Sequence, residues 1–377
     1  MIAGFPGAHE VLLRTLPVKV TLRQVWEQAL RLGADLVRRR DEDVQELLQG
    51  RAPAPPSNVP DLLVLAPDGG RLQDRTRPVG DRWCEYKAAV LYRVTREERF
   101  WAGLGTDPQG EVHWAYKVGE DGFQRIESKK TKQYRDPEPQ VKTFVATTEK
   151  IDRFPLLVEH EALGRGLLVA RTVAVVGDGQ DTIWRTAKEV TADRRSAGQE
   201  VFEILDIIHA GEHLVGAAKA AQGVTKAGAA WLNQRLRELW RGEAAKLIAV
   251  LQTEATAVRS RKDTEAARIL VNARDYFTEH RERVRYDVFR KHGLPLASCH
   301  IESAIKQTNR RVKGSEKQWL LPHAEEMLAL RCLALSQDDR WDGYFEGLRQ
   351  GAIAIPTLGR LTSAKQACPS IPIRKAS

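Results

Sequence analysis

Several large protein classes are excluded by what this chain lacks. Its 377 residues include only four cysteines, Cys84, Cys299, Cys332 and Cys368, widely separated and without a Cys-x-x-Cys pair. That spacing predicts neither a disulfide framework nor a cysteine zinc site, and a reducing, cytoplasmic compartment is the natural expectation. No apolar run approaches the roughly 18 residues that span a bilayer, and the N-terminal segment has no signal-peptide pattern, so no membrane partner is expected. Acid is in deficit as well: 59 Lys and Arg against 50 Asp and Glu leave a net charge of +9. A pI near 9.4 favours an anionic partner, nucleic acid ahead of membrane. The length allows two or three domains and a sizeable core.

Punctuation and periodicity divide the chain. Residues 1–57 hold a helical pattern from about Leu22 to Leu48 and the stiff linker Ala52-Pro53-Ala54-Pro55-Pro56. The Arg38-Arg39-Arg40 run is followed at once by acids, which predicts a solvated helix. Residues 58–216 are strand-rich, with candidate strands near Leu62, Ala88–Val94 and Phe100–Leu104. A polar excursion from about Thr106 to Lys142, containing Lys129, Lys130 and Lys132, reads as an exposed loop with room for a short hairpin. A helix is expected from about Thr147 to Leu163. Residues 217–292 change character, with almost no proline and with Trp231, Leu232, Leu236, Leu239, Trp240, Leu247 and Leu251 at helical spacing. This predicts an all-helical segment, ended by Gly293 and Pro295. Residues 293–350 carry a further helix and two closing helices, and 351–377 form a basic tail.

Acids stand at informative places in this plan. Three apolar runs each lead to an aspartate: Leu62–Leu65 to Asp68, Thr172–Val176 to Asp178, and Val201–Leu205 to Asp206. Such runs read as buried strands, and any one of these aspartates alone is also a common turn residue. Parallel strands would bring their ends to one sheet edge. Downstream, Ile301, Ile305 and Val312 mark the core face of a helix, while Glu302, Lys306, Asn309, Arg310 and Lys313 share another face. Taken alone, Glu302 and Lys306 are an ordinary i,i+4 pair on a solvated face. Joined to Asp68 and Asp178, Glu302 would complete a hard oxygen set suited to Mg²⁺ or Mn²⁺.

With these motifs in place the chain resembles the DDE transposases of bacterial insertion sequences, of the ISKra group allied to the Mutator-like superfamily. The resemblance runs from about Leu62 to Trp341 and rests on APDGGRLQDR with RWCEYKAAVLYRV, on VVGDGQDTIW, on ILDIIHAGEHL, and on GLPLASCHIESAIKQTNRRVKGSEKQW. It implies an α/β fold, an RNase H-like mixed sheet with flanking helices, interrupted by the all-helical insertion. By position, Asp68, Asp178 and Glu302 match the catalytic, metal-holding acids, and Asp206 and His209 match the auxiliary Asp-x-x-His motif. The implied chemistry is strand cleavage and strand transfer through two divalent ions. The implied partners are the terminal inverted repeats of an element and its target DNA, bound by a homodimer or higher oligomer in the nucleoid-associated cytoplasm. Lys306, Arg310, Arg311 and Lys313 are the candidate phosphate contacts. Trp319 has two readings, a base-stacking residue or a core residue capping the Glu302 helix.

The chain departs from the family at Ala297-Ser298-Cys299, where Gly-Ser-Gly is usual, and at Ser315-Glu316, where Ser-Gly is usual. These departures and the short N-terminal region motivate an alternative, a protein that holds DNA without cutting it. A minor alternative comes from His209-Ala210-Gly211-Glu212-His213, which matches the H-x-x-E-H spacing of zinc peptidases. In that reading His209 and His213 grip Zn²⁺ and Glu212 is the general base.

Overall fold

The computed structural model describes residues 9–13, 20–95, 97, 114–127, 134, 136–314 and 317–354. The candidate strand at Phe100–Leu104, the lysines 129, 130 and 132, and all of the tail beyond residue 354 lie outside them. Helix α1 spans Leu22–Leu48. Thr21 caps it, its hydroxyl accepting from the Gln24 amide at 3.2 Å while the Gln24 side chain accepts from the Thr21 amide at 2.8 Å. The expectation of a solvated helix is corrected. Asp35 is fully buried and binds Arg38, Arg39 and the Tyr344 hydroxyl. Arg40 reaches Glu325 at 2.5 Å and Glu149 at 3.1 Å. Arg38 and Arg39 are thus paired within α1, and Arg40 carries the ion pairs that dock the helix to the fold.

Strand β1 covers Leu62–Asp74, β2 Trp83–Val94, β3 Trp114–Gly119, β4 Gly122–Glu127 and β5 Val141–Thr147. After helix α2, Phe154–Gly164, come β6, Thr172–Gly177, helices α3, Asp181–Val190, and α4, Ala192–Ser196, and β7, Val201–Leu205. The sheet runs in the order β5-β2-β1-β6-β7. Strands β5, β2 and β1 pair antiparallel, whereas β6 and β7 run parallel to β1. Every residue of β6 and the first six of β1 are buried, as expected of strands covered on both faces.

Two boundaries differ from the sequence reading. Thr147 ends β5 rather than starting a helix, which begins at Phe154 with Pro155 in its first turn. The polar excursion holds the β3–β4 hairpin, and Asn233 brackets Tyr116 with bonds to its amide and carbonyl at 2.7 and 2.8 Å.

The helical segment starts earlier than residue 217. Helix α5, Ile207–Gln222, follows β7 directly, then α6, Lys226–Trp240, α7, Ala244–Ser260, and α8, Thr264–Glu279. A 3₁₀ turn at Arg281–Val284 and α9, Tyr286–Lys291, complete it. Leu232, Leu236, Leu239, Trp240, Leu247 and Leu251 are all buried, as their spacing predicts. Helix α10, Cys299–Val312, lies against β1 and β2. The two-residue strand β8, Gln318–Trp319, pairs with the end of β1. Helices α11, Leu321–Leu335, and α12, Arg340–Arg349, follow. None of the described helices is long and apolar enough to cross a membrane.

Candidate active site

Register brings the acids together. Leu65 of β1 pairs with Val175 of β6, and three residues further along each strand stand Asp68 and Asp178. Gly177 pairs with Leu205 of β7, and the next residues are Asp178 and Asp206. Asp178 and Asp206 thus follow directly on the paired ends of β6 and β7, while Asp68 stands on β1 three residues past its last pair with β6. Asp68 is not at a strand end, as its sequence context suggests. Strand β1 continues through Gly69 and Gly70 to Asp74, paired with β2 throughout. Only its parallel pairing with β6 stops at Leu65, and this opens the edge on which Asp68 stands.

Each acid is held differently. Asp68 accepts from the Gly69 amide at 2.6 Å. Burial pushes its carboxyl up to about 6, with the neighbouring Asp178 and Glu302 carboxylates adding to the rise against the Gly69 amide and His209. Asp178 accepts from the Gln180 amide at 3.1 Å and the Gln180 side chain at 2.9 Å, closing the turn into α3. Its backbone carbonyl accepts from the Tyr276 hydroxyl at 3.1 Å. Gly179 has φ +101°, and a Cβ there would crowd Tyr276, so glycine permits this approach. Glu302 lies in the first turn of α10, half-buried, 3.1 Å from the Lys306 ammonium and 4.0 Å from His209 Nε2.

Asp206 is fully buried and caps α5. Its Oδ1 accepts from the amides of Ile208 at 2.6 Å and His209 at 3.2 Å. Its Oδ2 accepts from the Ser298 amide at 2.6 Å and the Ser298 hydroxyl at 2.5 Å. Asp206 is thus joined to His209 through the His209 backbone. The imidazole turns instead toward Glu212, at 3.3 Å, and Glu302. Ligand atoms of Asp206, His209 and Glu302 lie within 4.8 Å of one another. A carboxylate has about four acceptor positions, and Asp206 has filled them, so we read it as a clasp between the starts of α5 and α10. Asp68 lies near enough to Asp178 and Glu302 for their charges to act on it, but among the described residues these three do not converge as closely as Asp206, His209 and Glu302.

The segment before α10 is secured from several sides. The Tyr134 hydroxyl donates to the Leu294 carbonyl, and the Ile207 amide donates to the Leu296 carbonyl at 3.0 Å. Asp136 accepts from the Leu296 and Ala297 amides at 3.1 and 3.3 Å. Burial pushes the Asp136 carboxyl up to about 7 despite these bonds. Farther along α10, Asn309 accepts from the buried Tyr86 hydroxyl at 3.0 Å. Sequence reading assigned no role to Asp136, Tyr86 or Tyr276, whose partners are distant in the chain.

The cations separate into two groups. Lys306 pairs with Glu302 at 3.1 Å while its side chain stays exposed. Arg310 and Lys313 are exposed and Arg311 is half-buried near Arg331. The Trp319 indole donates to the Val312 carbonyl at 2.8 Å, which is the capping alternative of its two readings. His213 does not join His209 in a ligand group. Its ring stacks on Tyr276 at 3.7 Å, beside a cavity of about 410 Å³ between α5 and α8. No family model and no curated protein matches this chain.

Proposed function

We propose that this chain is a DDE transposase of RNase H-like architecture that cuts and joins DNA at the ends of an insertion sequence. The observation that carries the reading is that Asp68, three residues past the Leu65–Val175 pair, lies near enough to Asp178 and to Glu302 of α10 for both carboxylates to act on it. The mixed sheet, its flanking helices and the helical segment between Asp206 and Glu302 agree with what the sequence resemblance implies. The donor set fits hard divalent cations: three carboxylates crowd one edge, and the raised Asp68 carboxyl records burial and mutual repulsion that a cation would relieve.

Asp68, Asp178 and Glu302 would hold Mg²⁺ or Mn²⁺. Bound there, such ions supply Lewis-acid activation of a water or 3′-hydroxyl and stabilise the leaving 3′-oxygen. The surrounding residues set positions. The Asp206–Ser298 clasp fixes where α10 begins, and Tyr276 fixes the backbone at Asp178. Lys306 neutralises Glu302. Arg310, Arg311 and Lys313 hold phosphates without reading sequence.

The test uses Glu302→Gln with DNA carrying the ends of the element that encodes the gene, in Mn²⁺. Cleavage should fall more than about 100-fold, the upper end of what losing a supporting partner alone costs, while DNA binding persists. Arg310→Ala with Arg311→Ala should do the reverse, flattening the salt dependence of binding by roughly one unit per lost phosphate contact. Undiminished cutting by Glu302→Gln refutes the assignment. A parent protein that binds these ends and leaves them intact supports the alternative of DNA holding without cutting.

A further inference from the structure

The β1–β2 hairpin extends well beyond the acids. From Asp68 to Asp74 the strand advances about 20 Å at roughly 3.3 Å per residue, and the connecting turn lies past that. Arg71, Arg75 and Arg77 are exposed on this arm, Arg82 is half-buried, and Val79 is 84 % exposed at the tip. The opposing acids are fewer. Asp74 is buried and bound to Thr76 and Arg77, which leaves Asp81 and Glu85 at the surface. Among the described residues the side chains of Arg71 and Arg75 make no hydrogen bond or ion pair.

The arm is joined to the basic end of α10. Strand β8 pairs with Gln73 and Asp74, and the Arg75 amide donates to the Trp319 carbonyl at 2.8 Å. The Gln73 side chain donates to the Gly314 carbonyl at 2.6 Å. The Lys313 ammonium lies 5.6 Å from the ring of Trp83, which is 42 % exposed and opposes Gln73 at the outer end of the paired arm. Helix α10 and the outer half of β1 therefore run side by side from the carboxylates to one basic surface.

We propose that this arm, through Arg71, Arg75 and Arg77, is a second phosphate-holding element that grips duplex DNA away from the reacting bond. The inference rests on the proposed function, because it takes DNA as the anion. At 3.4 Å per base pair, Asp74 lies about six base pairs from the carboxylates, within reach of the same duplex. A backbone grip there would register the DNA without reading its sequence.

The full chain is titrated with a fluorescent 30-base-pair duplex of arbitrary sequence at several salt concentrations, beside Arg71→Gln/Arg75→Gln and Arg71→Lys/Arg75→Lys. Each phosphate contact contributes about 0.9 to the slope of log K against log salt. The glutamine pair should therefore lower the slope by nearly two units. Affinity would then change about twelvefold less between 50 and 200 mM salt than in the parent. The lysine pair should restore the slope, since a phosphate contact needs charge more than a planar fork. An unchanged slope in the glutamine pair overturns the proposal. If the slope then still responds to Arg310→Ala/Arg311→Ala, the proposed function survives the loss. A parent chain that does not bind duplex DNA overturns both.

Discussion

Replacing Asp206 by Asn separates two roles that predict opposite signs. As a clasp, the carboxylate serves four donors: the Ile208 and His209 amides on one oxygen, the Ser298 amide and hydroxyl on the other. An amide keeps the shape but carries one oxygen. Whichever way it turns, its NH₂ faces either the start of α5 or the Ser298 amide, and donor meets donor. A hydrogen bond to a charged group contributes about 1.5–3 kcal/mol net, and a buried donor left unmatched costs about 1–3 kcal/mol. The Ser298 hydroxyl can rotate to accept, recovering part of this. The expected loss is on the order of 3–5 kcal/mol in metal-free protein, read from urea denaturation. Ser298→Ala removes only the hydroxyl bond and should cost about 1–2 kcal/mol. The double variant should lose less than the sum, because both changes break one contact.

If Asp206 were instead a cation ligand with His209 and Glu302, its charge would be a burden on metal-free protein. Removing it would relieve repulsion, and the unfolding midpoint would hold or rise. A midpoint for Asp206→Asn that is unchanged or raised without metal therefore refutes the clasp.

Two further outcomes follow from the packing around the site. A Cβ on Gly70 would overlap the buried Tyr86 ring, which holds α10 through Asn309. Gly70→Ala should thus lower stability by about 1–3 kcal/mol in urea unfolding and reduce cleavage more than DNA binding. Acid stability depends on Glu161. Burial alone would raise its carboxyl, but Arg340, at 2.8 Å, and Arg165 hold it down to about 2. A depressed carboxyl contributes stability above its unfolded value near 4.3, lost as pH falls through about 2. Arg340→Met should therefore move the acid-unfolding midpoint to higher pH, followed by circular dichroism, and an unmoved midpoint would discount the pair.

Much of this site was legible because its residues sit on strongly patterned elements. Ile301, Ile305 and Val312 mark the buried stripe of α10 at helical spacing, and all three are buried. The run before Asp178 is a strand because continuous aliphatic residues suit a sheet covered on both faces, and the run before Asp206 forms the edge strand β7, buried at Ile204 and Leu205. Asp68 was misplaced for a local reason. Gly69-Gly70 after it reads as a turn, yet pairing with β2 carries the strand on, and the glycines serve the close approach of Tyr86.

Register and distant bonds leave no local signature. Nothing near Leu65 states that it will face Val175, and that pairing brings Asp68 and Asp178 to the same end of the sheet. Asp136 sits in a polar stretch indistinguishable from a loop, and its carboxylate acts on amides 160 residues away or more. Tyr276 belongs to a helix whose pattern is explained by its own core, yet its hydroxyl ends on the backbone of Asp178. This contact bears on how the helical segment is used. A helix bonded to the Asp178 backbone and stacked on His213 is coupled to the position of that acid. The segment therefore acts as part of the site's wall, and changes in α8 should register at the carboxylates before they register in the sheet.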